Sequence, residues 1–201
     1  MKMEKNRMPQ TKSFFMHDEK NTSKKESLVD FFLSWTLRCI TNKERDYRNP
    51  KMEEYCKSIT SVLLFGDAEK LNNYKVEQVK TWLQWKNIDL RAEFYLFNNE
   101  AQKEEKYALL LENKVYTSIH NNQLHNYKET FEQYYKDTEF NCEYVFFSCK
   151  GELSDWEKEE CISASYRAYT MDEVFNSARK GKEWDWTDNA LFDEFWLSTW
   201  G

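Results

Sequence analysis

At 201 residues the chain has room for one compact domain with a full hydrophobic core, or a domain plus an arm. It is 32% charged and 40% hydrophobic, so it can bury a core, while only 4 Gly and 2 Pro disfavour glycine-rich phosphate cradles. Neither a Gly-x-Gly-x-x-Gly nor a Gly-x-x-x-x-Gly-Lys-Ser/Thr pattern occurs, which excludes Rossmann dinucleotide sites and P-loop NTPases. The net charge of −6 argues against coating nucleic acid or membrane through the overall field. That acidity is local: residues 151–201 hold 5 basic and 12 acidic side chains, whereas residues 1–150 hold 24 and 23. Five cysteines with no Cys-x-x-Cys pair and three histidines make zinc knuckles and disulfide frameworks poor readings; reduced cysteines in the cytoplasm are the expectation. No apolar run approaches the ~18 residues of a membrane span, and the opening MKMEKNRMPQ lacks the apolar stretch of a signal peptide.

Residues 1–25 read as a polar, Met-rich arm with a short apolar patch at Phe14–Met16. From Glu26 to Ile40, Leu28, Phe31, Phe32, Trp35 and Leu37 fall mostly on one helical side, with Glu26 and Asp30 four apart. Asn49-Pro50 predicts a helix entry, and Met52, Tyr55, Cys56, Ile59, Val62 and Leu63 continue at helical spacing to Gly66. The period then changes. In IDLRAEFYLF (88–97) apolar residues alternate with Asp89, Arg91, Glu93, Tyr95 and Phe97, which is strand spacing with two carboxylates on one face. The preceding VEQVKTWLQW suits a strand too, with Lys86-Asn87 closing a hairpin, and residues 98–106 read as a charged loop. YALLLENKV (107–115) begins as a nearly continuous apolar run, the mark of a strand covered on both faces, and ends in charge. Gln123, Leu124, Tyr127, Phe131 and Tyr134 predict a helix, and CEYVFFSC (142–149) a further buried strand, so the set predicts a crossover with parallel pairing. The acidic run Asp155–Glu160 reads as a solvated loop, Met171–Arg179 as a short helix, and about 187–200 as a Trp-rich final helix that covers a sheet edge or helix face. The expected class is α/β or α+β, a mixed sheet flanked by helices, in a single domain over residues 26–201.

Chemistry concentrates where the apolar strand meets solvent. Residues two apart on a strand share a face, so the Glu112 carboxylate and the Lys114 ammonium project together. Glu93 or Asp89 of the neighbouring strand can point into the same space. A hard cation such as Mg²⁺ takes oxygen ligands, and two carboxylates with waters and a substrate phosphate supply them. Lys114 beside them can orient water and offset charge on an attacked phosphate. Taken alone, the Glu-x-Lys triplet reads equally as a surface ion pair at a strand end.

The series RAEFYLF (91–97), YALLLENKV (107–115) and QLHNY (123–127) resembles the PD-(D/E)XK nuclease superfamily. The likeness is to a bacterial branch that runs Arg-Ile-Asp-Ile, an apolar strand into Glu-Asn-Lys, then Gln-Leu-x-x-Tyr. Glu26 ahead of DFFLSW and EYVFFSCKGE (143–152) extend the similarity over about residues 26–180. The resemblance implies a restriction-endonuclease-like core with a mixed four-stranded sheet, and metal-dependent phosphodiester hydrolysis. It implies Glu26, Glu93 and Glu112 as metal carboxylates, Asn113 as a donor through its backbone carbonyl, Lys114 as the catalytic lysine, and Gln123 as a residue holding water or phosphate. Glu93 stands where the family usually has Asp; Asp89, ~13 Å away along an ideal strand, is the candidate to support it.

The resulting expectation is a nuclease using Mg²⁺ or Mn²⁺ on DNA, with RNA left open, acting in the cytoplasm in defence, restriction or mobile-element biology. Cutting both strands of a duplex calls for two copies, so a homodimer is an expected assembly. The alternative is a catalytically inactive module of the same fold that binds nucleic acid or protein. His120 and His125 read as surface residues of the crossover segment, and its tyrosines as the helix's buried face.

Overall fold

The computed structural model describes residues 22–41, 49–115, 117–120 and 122–198. Nearly all of the expected N-terminal arm therefore lies outside the described residues, and α1 begins at Thr22 and runs to Cys39. The second helix, α2, spans Pro50–Phe65. Its entry is built as the sequence predicts: the Asn49 side chain accepts from the Met52 amide at 3.0 Å and Pro50 occupies the first turn. Gly66 ends it in the left-handed region, at φ 73°, donating its amide to the Val62 carbonyl.

Strands β1 (Tyr74–Trp85) and β2 (Ile88–Asn98) form the predicted hairpin. Its central residues Lys86 and Asn87 both have positive φ, 52° and 67°, as a tight turn matched to strand twist demands. β3 covers Lys103–Lys114, so the charged segment expected to be a loop over 98–106 is a short turn at 99–102, and Lys103, Glu104, Glu105 and Lys106 already belong to a strand. After β3, the helix α3 (Gln123–Tyr135) leads back to β4 (Phe140–Ser148), which pairs parallel to β3. The sheet order is β1-β2-β3-β4-β5, antiparallel among the first three strands and parallel thereafter. β5, Arg167–Thr170, is a fifth strand beyond the four that the resemblance implies; four residues are too few for alternation to announce it.

Two apolar layers explain the unbroken run in β3. Leu109 and Leu111 join Val145 and Phe147 in a core with α1, α2, α5 (Met171–Arg179) and the C-terminal segment. Ala108 and Leu110 join Phe146 in a second core under α3 and a helix α4 (Asp155–Ala164). With both faces covered, every residue of the strand's centre must be apolar.

The acidic run Asp155–Glu160 corrects the expectation of a solvated loop, because it opens the helix α4 (Asp155–Ala164). Ser154 and Glu157 form a reciprocal capping box, and the buried Glu157 accepts from Lys150 Nζ at 2.7 Å. Acidic side chains suit the first turn because they face the positive end of the helix dipole. The final segment is helical from Ala190 to Ser198, its last six residues π-helical, and it packs Phe192, Phe195 and Trp196 into the first core. Among the described residues no helix is long and apolar enough to cross a membrane.

Candidate active site

The C-terminal end of β3 carries the site. Consecutive residues there point to opposite faces of the sheet. Asn113 turns toward α1, where its amide donates to the Asp30 carboxylate and to the Glu26 carbonyl, each at 3.1 Å. Glu112 and Lys114 turn toward α3. Lys114 Nζ donates to Glu112 Oε1 at 2.6 Å, and Gln123 Nε2, in the first turn of α3, donates to the same oxygen at 2.7 Å. Gln123 also reaches the Tyr127 hydroxyl at 3.2 Å, one helical turn on. The other Glu112 oxygen, Oε2, is buried and meets no donor.

The carboxylate that meets Glu112 is Asp89. The β2–β3 ladder pairs Leu90 with Leu111, so Asp89 stands opposite Glu112 one step further. The two carboxyl groups are close enough for the Asp89 charge to act on Glu112, and Asp89 is held by the Asn113 backbone amide at 2.9 Å and by the Gln84 amide at 3.0 Å. A buried carboxylate beside a second carboxylate is costly to ionise. Burial, then the Asp89 charge, push Glu112 up to about 8 against the pull of Lys114. Burial disfavours the charge on Lys114, but Glu112 outweighs it and holds the ammonium above its ordinary value. Behind them Asp30 is pushed up to about 7, by burial first and by Asp89 next.

Of the expected site residues, the fold brings together Glu112, Asn113, Lys114 and Gln123. Glu26 closes over the same strand end, but its carboxylate is engaged by the Thr117 hydroxyl at 2.7 Å and the Val115 amide at 3.4 Å. Glu93 does not join them. It lies opposite Ala108, four residues short of Glu112, and its two oxygens accept from Tyr135 at 2.8 Å and Tyr95 at 3.0 Å. Its strand rung, fixed by the hairpin, is the wrong one, whatever its chemistry. Asp89, expected only as a supporting residue, holds the direct position instead. Sequence reasoning did not single out Asp30, Gln84 or Tyr127 as site residues. Asp30 had a signal, as an acid one turn after Glu26 between Val29 and Leu33; Gln84, a polar residue beside a turn, had none. His125 bonds Ser163 away from this cluster, and His120 is exposed.

Asp89 and Glu112 fit a divalent cation by donor type, by the donorless Glu112 Oε2 and by the negative charge they accumulate. They fit it as a two-carboxylate site: among the described residues no group of three or more His, Cys, Asp or Glu is arranged to hold a metal. Mg²⁺ is commonly bound by one or two carboxylates, with waters and substrate phosphate filling the rest.

The family model of the PD-(D/E)XK nuclease superfamily matches residues 9–191. No curated protein and no solved structure matches the chain.

Proposed function

The chain belongs to the PD-(D/E)XK nuclease superfamily, and from that premise we propose that it hydrolyses phosphodiester bonds of DNA with Mg²⁺ at the Asp89, Glu112 and Lys114 cluster. The observation that carries this reading is the buried Glu112 carboxylate beside Lys114 and opposite Asp89 on the neighbouring strand, with Glu112 Oε2 left without a donor. Asp89 and Glu112 are the residues to hold the cation, with Asn113 offering its backbone carbonyl and Glu26 at the rim. The bound ion supplies Lewis-acid charge against the phosphate and makes a bound water more acidic.

The chain's own groups do the rest. Gln84 and the Asn113 amide fix Asp89 from one side, and Gln123 fixes Glu112 from the other. The Lys114 ammonium, already aimed at Glu112, neutralises charge as it builds on the attacked phosphorus centre. Water adds to phosphorus as its proton passes to solvent, the bond to the leaving oxygen breaks, and that oxygen takes up a proton from solvent. Packing of the cluster under α3 keeps its dielectric low, so each charge counts for more than it would in water.

The alternative, an inactive nucleic-acid-binding or protein-interaction module, draws on the Lys114–Glu112 ion pair, which occupies the lysine, and on there being, among the described residues, no third acid arranged with these two to hold a metal. Plasmid cleavage by the full chain separates the two. Cutting that requires Mg²⁺ or Mn²⁺, stops with EDTA and disappears in Lys114→Ala supports the nuclease; undiminished cutting by that variant defeats this assignment of the site, and no cutting by the wild type favours the module.

A further inference from the structure

Beside the site lies a cluster that its chemistry does not use. Arg91, two residues along β2 from Asp89 and on the same face, is only 3% exposed. A buried guanidinium is ordinarily satisfied by carboxylate or carbonyl acceptors. Arg91 instead leaves Nε and Nη1 without partners and is enclosed by aromatic rings. Its Cζ lies 3.7 Å from the Trp82 ring centroid, 4.6 Å from Trp85 and 4.9 Å from Tyr134. Trp85 and Tyr134 meet edge-on at 4.8 Å, with an interplanar angle of 69°. On the solvent side Lys86 Nζ sits 4.9 Å from the Trp85 centroid and 5.8 Å from Tyr134.

Core packing accounts for the inner half of this cluster, where Trp85 rests on Phe131. It does not account for the outer half: Tyr134 is 48% exposed, Trp82 and Trp85 are partly exposed, and Lys86 is exposed. The arginine holds the rings rigidly from beneath while their outer surfaces and a second cation face solvent. Aromatic faces with flanking cations are what a polynucleotide strand asks for, rings for its bases and positive charge for its phosphates. The position fits as well. Gln84, next to Trp85, donates to Asp89, and Arg91 is about 7 Å from Asp89 by strand rise.

We propose that Trp85, Tyr134 and Lys86, backed by Arg91, form a stacking platform for an unpaired base of a single-stranded DNA segment whose backbone runs into the Asp89–Glu112 site. The inference rests on the nuclease reading for its substrate class and adds strand state: a base inside a duplex already has both faces covered, so the occupant is single-stranded or splayed.

The test is fluorescence anisotropy of the full chain in EDTA, with labelled oligo(dT) of about twenty nucleotides and a duplex of the same length. Trp85→Ala and Tyr134→Ala should each weaken oligo(dT) binding roughly tenfold, with duplex binding nearly unchanged. Tyr134→Phe should retain wild-type affinity, and Lys86→Ala should lower the salt dependence by about one phosphate contact. Tyr134 is half exposed, so its alanine variant should fold, which circular dichroism checks. The platform is refuted if folded Tyr134→Ala binds oligo(dT) as the wild type does, if strand and duplex weaken alike, or if the wild type binds no strand. Platform-dependent binding without Mg²⁺-dependent cutting supports the platform while defeating the nuclease; cutting with undiminished binding by both alanine variants does the reverse.

Discussion

Asp89 and Glu93 sit four residues apart on the same face of β2, both among buried neighbours, yet the fold completes one and leaves the other open. Glu93 faces Ala108 and receives two phenolic hydroxyls, one on each oxygen. Its hydrogen-bonding capacity is met by neutral donors that bring no competing charge. Asp89 faces Glu112, so two carboxyl groups share a partly buried site with one ammonium. A carboxylate held by two hydroxyls is a finished piece of structure, whereas two carboxylates and one lysine keep an excess of negative charge that a divalent cation settles. The residue type at a strand position matters less than the residue across the ladder.

The strongest attempt to break this contrast is catalytic. Asp89→Asn and Lys114→Ala should each lower plasmid cleavage in Mg²⁺ by roughly 10²–10³-fold, the scale expected on removing a group that stabilises transition-state charge. Glu93→Gln should change it by no more than about threefold, since the amide oxygen accepts from one phenol and the amide nitrogen can donate to the other. Equal losses at Asp89 and Glu93 would erase the distinction. Binding isolates the same contrast from turnover. Calorimetric titration with Mn²⁺ should show affinity reduced more than about tenfold in Asp89→Asn and Glu112→Gln, and unchanged in Glu93→Gln.

The contrast also explains what the sequence made legible. Alternation in IDLRAEFYLF assigned Asp89 and Glu93 to one face, and Glu112 and Lys114 to the face that meets them, both correctly. What alternation leaves open is the rung. Sliding β2 by four residues against β3 preserves every face, and the spacing that fixes the register comes from the turn at 99–102, hidden inside a charged stretch that resembled a longer loop. Glu-Asn-Lys and Gln123 were readable because they lie on a strand end and a helix start whose positions local pattern sets. Gln84, Asp30 and the Arg91 cluster were not, because each depends on contacts between elements distant in sequence or on a hairpin's local twist; Gln84 reaches Asp30 across 54 residues and Asn113 reaches it across 83. The acidic run 155–160 misled for a related reason: with few apolar residues at helical spacing, its helix is announced only by the Ser154–Glu157 cap.

A smaller effect sharpens the electrostatic half of the comparison. Asp30 ionises near 4 when unfolded but only near about 7 in the fold. The native state therefore keeps a proton that the unfolded state releases, and stability falls as pH rises from about 4 to about 7, then levels. Asp30→Asn removes that loss. In EDTA its urea stability relative to the wild type should rise by on the order of 2–4 kcal/mol between pH 4 and pH 8. A pH-independent difference would show that burial and the neighbouring Asp89 charge do not raise Asp30.

The smallest expected effect tests the completed carboxylate. Tyr135 spans from α3 to β2 and donates to Glu93 Oε1 at 2.8 Å; burial and that hydrogen bond together raise its own pKa. Tyr135→Phe keeps the ring in its contacts with Phe131 and Phe140 and removes one hydroxyl. Glu93 then has Tyr95 alone, and one oxygen is left buried without a donor, at a cost of about 1–3 kcal/mol in urea denaturation. Cleavage by the folded variant should be unchanged, since the deleted donor serves a carboxylate outside the site. Restoring balance by pairing the change with Glu93→Leu should recover much of the loss, because removing both partners of a buried hydrogen bond is cheaper than removing one. If the single variant lost activity while keeping its stability, Glu93 would have to be moved from the structural side of the comparison to the catalytic one.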